Sequence, residues 1–164
     1  MGLTHRLDHW MYRGKHPNHL ARLLNRVWAA LAGAGIGPER LVRLEVTGRR
    51  TGRTVSFPVV VADYRGERYL VSMLGEDTNW VRNVRAAGGR VVVRHGSREV
   101  VRLQEVDLGE RPAILRRYLE CAPGARSHMP VDRHAPVQEF EGIAGQYPVF
   151  HVIPEPGNAQ EHAA

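Results

Sequence analysis

Two patterns of apolar and polar positions divide the chain. Before residue 34, apolar residues recur with the i, i+3, i+4, i+7 spacing of an amphipathic helix. They are Leu20, Leu23, Leu24, Val27, Trp28 and Leu31. We predict a helix over about 18–33 whose apolar face covers a core. Its other face carries Arg22 and Arg26, which also allows peripheral contact with an anionic membrane surface.

Beyond Pro38 the chain contains short apolar runs rich in valine, which predict β-strands. The predicted strands span 41–46, 55–62, 68–73, 90–94, 98–106 and 149–153. The connections between them are mostly too short for parallel crossovers, so antiparallel pairing is expected. Six such strands predict a mainly β domain folded as a small closed or split barrel, because closure removes exposed strand edges.

Three further helices are predicted between these strands. The first runs over 78–87 and is stopped by Gly88-Gly89, the second follows Pro112 to about Cys121, and the third spans about 137–143. We therefore expect an α+β arrangement in one domain over 1–154. Residues 155–164 are polar and are expected to form a flexible tail.

Composition narrows the functional classes. The 164 residues include 23 basic and 17 acidic ones, a net charge of +6, yet the basic residues are spread along the chain and only 7% of residues are aromatic. That distribution argues against nucleic-acid binding. The single cysteine, Cys121, excludes an internal disulfide and is consistent with a cytoplasmic protein. The nine histidines show no set of three ligands, so no metal site is predicted.

The segment 47–54 concentrates the most informative chemistry. It holds three arginines, two glycines and three threonines directly after a predicted strand. Guanidinium groups bind phosphate and carboxylate, and glycine lets backbone N–H groups approach an anion closely. The segment predicts a polyanion site, with a solvated basic turn as the alternative. It is not a Walker loop, because Gly48 and Gly52 are one residue too close and Arg53 stands where lysine is required.

A second candidate region joins a strand to a helix over 69–88. Ser72 and Gly75 end the strand, and the following helix N-terminus offers free backbone donors to a carbonyl or phosphate. Trp80 is suited to stack beside a planar ligand. The alternative is that Trp80 anchors the core and that Asn79 only caps the helix.

Together these motifs closely resemble the deazaflavin-dependent nitroreductase family, also called the quinone reductase-like family. The resemblance covers roughly residues 40–153 and rests on 47–52, Pro58, the run from Gly75 through 79–85, 122–126 and 147–150. It implies a split β-barrel of the pyridoxamine-phosphate-oxidase type that binds reduced 8-hydroxy-5-deazaflavin, coenzyme F-420, with its anionic phosphate and oligoglutamate tail. The implied reaction is hydride transfer to a small electron-poor acceptor such as a quinone, a nitroaromatic or an activated enone.

By position, the resemblance assigns the phosphate and tail to the segment after the first strand, and the ring to two strands and a helix start. The implied cofactor-binding residues are Arg49, Arg50, Thr51, Gly52, Arg53, Pro58, Val59, Val60, Val71, Ser72, Met73, Leu74, Gly75, Asn79, Trp80, Asn83 and Arg85. No catalytic residue is selected; Ser72, His128, His134, Tyr147 and solvent are all candidate proton donors.

Three departures from the family pattern bear on the substrate. Val55 and Ser56 stand where relatives often carry a further basic residue, Glu76 and Asp77 make the loop before Trp80 acidic, and Phe140 stands where relatives can place tyrosines near the acceptor. Nitro-group reduction therefore stays open. The alternative functions are a non-catalytic carrier or sequestering protein for a deazaflavin, flavin or haem-like ligand, and an FMN enzyme. The assembly is expected to be a monomer or a homodimer.

Overall fold

The computed structural model describes residues 39–157. The helix predicted at 18–33, its membrane contact and the last seven residues of the predicted tail lie outside the described residues. Within 39–157 the chain forms seven strands and three α-helices. The strands are β1 Leu41–Thr47, β2 Thr54–Val60, β3 Ala62–Tyr64, β4 Glu67–Val71, β5 Arg90–His95, β6 Ser97–Glu105 and β7 Val149–Pro154. The helices are α1 Asn79–Ala86, α2 Arg111–Cys121 and α3 Val137–Glu141.

The strands form one antiparallel sheet in the order β2-β1-β5-β6-β7-β4-β3. β2 and β3 lie at opposite ends of this order although Val61 alone separates them in sequence. The segment 54–64 therefore pairs with β1 over its first half and with β4 over its second half, so the sheet closes on itself. This confirms the predicted mainly β, antiparallel fold of the split-barrel type.

The predicted number of six strands was wrong by one because the run 55–62 changes partner at Val61. The backbone N–H of Val61 donates to the carbonyl of Arg40 (2.8 Å), outside both strand ladders. Phe57, Val59 and Val61 all pack toward the barrel interior. The apolar alternation thus continues through the break and gave no sign of it.

The part of the sheet around β4 and β7 is covered on both faces. Inside the barrel, Leu70 of β4 and Phe150 of β7 are directly paired and fully buried with Leu44, and Val81 and Val84 of α1 join this inner cluster. Outside it, the next pair along the same two strands, Val71 and Val149, packs under α2 and α3 in an outer cluster. Burial on both faces explains why Leu70 and Val71 are consecutive apolar residues, and likewise Val149 and Phe150.

An ion pair attaches α2 to the sheet. Arg117 of α2 donates to the carboxylate of Asp63 on β3 (3.1 Å) and to its carbonyl oxygen (3.0 Å). Arg40 also donates to this carboxylate, and these hydrogen bonds, that of Arg40 above all, lower the pKa of Asp63 to about 2. In the described part of the chain, no helix combines the length and apolarity that membrane crossing requires.

Gly88 and Gly89 end α1 as the sequence predicts. Both have positive φ, +64° and +85°, and the N–H of Gly89 donates to the carbonyl of Val84 (2.9 Å). A Cβ at Gly88 would meet nothing within 4 Å, whereas one at Gly89 would overlap the carbonyl oxygen of Leu103 on β6. Gly89 is therefore favoured both by its positive φ and by its close approach to β6, whereas Gly88 is favoured by its positive φ alone.

We expect Gly89→Ala to lower the free energy of unfolding by roughly 3 kcal/mol or more, because left-handed backbone strain adds to overlap with a strand that cannot move. Gly88→Ala is the matched control and should cost about 1 to 2 kcal/mol, the strain alone. Urea unfolding of both variants measures the difference. Equal losses would contradict the close approach of Gly89 to β6.

Candidate functional site

The turn between β1 and β2, residues 48–53, is held by its own hydrogen bonds. The N–H of Gly48 donates to the carbonyl of Arg53 (2.8 Å), and the N–H of Gly52 donates to the carbonyl of Gly48 (2.9 Å). Gly52 has φ +68°, and the hydroxyl of Thr51 accepts from the N–H of Arg53 (3.3 Å). We call this segment the arginine turn. Its three guanidinium groups thus project from an ordered backbone.

Helix α1 holds the arginine turn in place through Arg49. The side-chain oxygen of Asn83 accepts from both the backbone N–H (3.1 Å) and the guanidinium Nη1 (2.8 Å) of Arg49, and that of Asn79 lies 3.4 Å from Nη2. Asn79 and Asn83 lie four positions apart and so share one face of the helix. Asn83 is only 5% exposed. Arg49 therefore connects the turn to the helix.

The other two arginines of the turn have a different environment. Arg50 and Arg53 are exposed, and no carboxylate among residues 39–157 pairs with either. The adjacent N-terminus of α1 has no side-chain cap from Thr78 and no acidic residue in its first turn. The contact of Arg49 with Asn79 places the arginine turn next to the first residue of α1. Guanidinium groups without a carboxylate partner and free helix N–H donors are both suited to a phosphate group.

The loop between β4 and α1, residues 72–78, is internally fixed. The buried hydroxyl of Ser72 donates to the carbonyl of Gly75 (2.6 Å) and lies 3.2 Å from the hydroxyl of Thr78. Gly75 has φ +94°. Met73 packs against the outer cluster, while Leu74 is 48% exposed. The loop therefore presents an apolar side chain to solvent close to the start of α1.

The predicted residues on β2 and at the start of α1 divide between the two faces of the sheet. Val59 packs inward, so strand alternation directs Pro58 and Val60 outward, where Val60 contacts the outer cluster. Trp80 lies between Phe57 (5.8 Å between ring centroids) and Phe150 (5.5 Å) and packs against the inner cluster. Trp80 is thus half-buried and anchors the packing of the inner cluster. Pro58 and Val60 lie on the outer face of β2, which we call the outer wall.

Arg85 is committed to two carboxylates. It donates to Glu105 (2.6 Å) and to Glu76 (3.2 Å), and the bond to Glu105 is the main reason its pKa is raised. Glu105 also lies 3.6 Å from Arg111, a buried residue that donates to the carbonyls of Val106 (2.8 Å) and Ala144 (3.1 Å). Arg85 therefore ties α1 to the end of β6.

The roles of Glu105 and Arg111 were missed from the sequence. Arg85 is 20 positions from Glu105, and Arg111 is 33 positions from Ala144. No local spacing signals pairs so distant in sequence. Phe140, which stands where relatives can place tyrosines near the acceptor, is fully buried in the outer cluster. It cannot contact a ligand in this conformation.

A family model for F-420H(2)-dependent quinone reductase matches residues 21–140, well over half of the chain. The chain belongs to this family. The protein is accordingly a coenzyme F-420-dependent oxidoreductase, and its cofactor is coenzyme F-420. The match includes the arginine turn, the outer wall of β2, the loop before α1 and α1 itself. No curated protein matches the chain significantly.

Two of the three solved structures described next share the fold, with TM-scores of 0.50 and 0.52. One described as a domain-swapped dimer is 19% identical, with a TM-score of 0.50 over 81% of this chain and 92% of that one. The Agrobacterium tumefaciens protein Atu2129, of unknown function, is 15% identical, with a TM-score of 0.52 over 71% of this chain and 48% of that one. An F-420-H2-dependent reductase, FDR-A, is 20% identical, with a TM-score of 0.48 over 69% of this chain and 93% of that one.

We expect Asn83→Ala to lower the free energy of unfolding by about 1 to 3 kcal/mol, because it leaves the backbone N–H and the guanidinium of Arg49 without their shared acceptor. Asn79→Ala is the matched control on the same helix face, and its exposed 3.4 Å contact should be worth less than about 0.5 kcal/mol. Urea denaturation followed by tryptophan fluorescence measures both. A larger loss for Asn79→Ala would contradict the assigned role of Asn83.

Proposed function

We propose that the protein transfers a hydride from the reduced coenzyme to a small, hydrophobic, electron-poor acceptor. Quinones are the first class we propose, with activated enones and nitroaromatics as further classes. The observation that supports the placement of the coenzyme is the arginine turn, in which Arg50 and Arg53 pair with no carboxylate of residues 39–157 and which Arg49 attaches to the first residue of α1. Family membership supports the hydride chemistry.

In this proposal the residues of the arginine turn have separate tasks. Arg50 and Arg53 hold the phosphate together with the first N–H groups of α1, since neither guanidinium group pairs with a carboxylate among the described residues. Arg49 holds the turn against Asn79 and Asn83 and so positions the other two arginines. Gly52 supplies the positive φ at which the backbone of the turn bends.

The ring system is assigned to the outer wall of β2 and the loop after β4. Pro58 and Val60 line the wall, and Met73, Leu74 and Gly75 form the loop surface, because Val71 and Ser72 are buried beneath it. When bound, the reduced coenzyme supplies the hydride. The apolar side chains around it exclude water and suit a hydrophobic acceptor.

The proton that completes reduction is assigned to solvent. The hydroxyl of Ser72 donates to the carbonyl of Gly75, and the hydroxyl of Tyr147 donates to the carbonyl of His128 (2.9 Å). Burial raises the pKa of Tyr147, so this phenol stays protonated at neutral pH. Both hydroxyl protons are thus held by backbone acceptors rather than offered to a substrate.

The acceptor is tested by stopped-flow mixing of the protein, loaded with reduced coenzyme, with a panel of quinones, enones and nitroaromatics. We expect oxidation of the coenzyme faster than in the protein-free control, and fastest with apolar quinones. No acceleration with any acceptor would refute the proposal and favour a carrier.

Light scattering on the same preparation distinguishes a monomer from a homodimer. The solved structure described as a domain-swapped dimer suggests the homodimer.

We expect the double change Arg50→Gln and Arg53→Gln to weaken coenzyme binding by about 2 to 4 kcal/mol, through the loss of two charge-assisted contacts. Quenching of tryptophan fluorescence measures the dissociation constant. Arg65→Gln is the control, because Arg65 lies at the β3–β4 turn, at the other end of segment 54–64, and packs over the ring of Tyr64. An unchanged affinity in the double variant would refute this placement of the phosphate.

A further inference from the structure

The outer face of β1, β5 and β6 places arginines directly opposite one another. Arg43 of β1 is paired with Arg94 of β5, and Arg94 is paired in turn with Arg98 of β6. Two rows along the same face, beyond the pair Val92 and Val100, Arg90 of β5 is paired with Arg102 of β6. Like charges in direct cross-strand positions are destabilising, so these rows impose a cost on the sheet.

Two carboxylates compensate these charges only in part. Glu45 lies 2.7 Å from Arg43 and 2.9 Å from Arg94, and it is largely buried between them. Glu155 lies 3.2 Å from Arg90 and 3.7 Å from Arg102. Arg98 is exposed and pairs with no carboxylate within residues 39–157. Five guanidinium groups therefore face two carboxylates on this wall.

A groove of about 220 Å³ runs between the two arginine rows. Arg90 and Arg98 stand at its sides, Val92 and Val100 contribute apolar surface between them, and Glu45 reaches it from β1. Thr47 and Thr54 line its end on β1 and β2. These two threonines directly flank the arginine turn, so the groove begins where the proposed phosphate site ends.

We propose that this groove binds a chain of carboxylates that continues from the arginine turn. The inference rests on the proposed placement of the coenzyme phosphate at that turn. The oligoglutamate tail of the coenzyme is the favoured source, and a separate carboxylate compound is the other. A γ-linked glutamyl chain alternates carboxylates with methylene groups, which matches arginines beside a floor of Val92 and Val100.

The dimensions agree with a short stretch of such a chain. Thr54, Thr47 and Arg90 occupy three adjacent strands, which span about 10 Å across the sheet. The threonine hydroxyls offer donors on β1 and β2. Arg98 lies one strand beyond Arg90, on β6, and offers a cation that no carboxylate of residues 39–157 pairs with. The carboxylate of Glu45 is neutralised by Arg43 and Arg94, so it does not oppose an anion in the groove.

The test uses the full chain and its Arg98→Gln variant, titrated with coenzyme that carries one glutamate and with coenzyme that carries several. We expect the dissociation constant of the long-tailed coenzyme to rise roughly three- to tenfold in the variant, and that of the short-tailed coenzyme to change less than about twofold. The long-tail effect should shrink at high ionic strength, because the contact is exposed. Arg65→Gln should leave both constants unchanged.

Competition with free oligo-γ-glutamate distinguishes the source of the carboxylates. If Arg98→Gln weakens binding of the free oligomer but not of the tailed coenzyme, the groove serves a separate carboxylate ligand. Equal effects on short and long tails, or no effect on any of these ligands, would overturn the groove assignment while leaving the proposed function intact. Failure of the unmodified protein to bind any form of the coenzyme would overturn both.

Discussion

The structure depends on one continuous segment, residues 54–64, which pairs with β1 at its start and with β4 at its end. This double pairing closes the sheet, and it also sets the position of the site. The arginine turn lies immediately before the segment, and the outer wall is part of the segment. The loop before α1 follows β4, the strand that pairs with the end of the segment. The parts of the candidate site, all within residues 48–78, are therefore positioned by a single closure.

The arginines illustrate how the fold divides similar residues between structure and binding. Arg49, Arg85, Arg111 and Arg117 donate to amide, carboxylate or carbonyl oxygens at short range. Arg50, Arg53 and Arg98 have no such partner in the described part of the chain. A guanidinium group already engaged by the protein offers little net charge to a ligand, whereas an unpaired one keeps its full attraction for an anion.

Helix α1 links the site to the core. Its inner face buries Val81 and Val84 in the barrel, its Asn79 and Asn83 face the arginine turn, and Arg85 attaches it to β6. Since a packed core resists small displacements, these contacts transfer its rigidity to the turn. The backbone that carries the proposed phosphate donors is thereby fixed before a ligand binds, which lowers the entropic cost of binding.

The sequence by itself determined the mainly antiparallel β class, the helix ends at Gly88-Gly89, and the concentration of anion-binding groups at 47–54, because periodicity, turn residues and local charge are properties of neighbouring positions. Tertiary structure alone decided that the run 55–62 changes its partner strand at Val61 and that Val59 and Trp80 pack inward. It also decided that Arg85 forms ion pairs with Glu105 and Glu76. Those outcomes depend on contacts between distant positions. The alternation of apolar residues in β2 is the same whichever strand it pairs with. Likewise, nothing in the sequence around an arginine shows whether a carboxylate far away in the chain neutralises it.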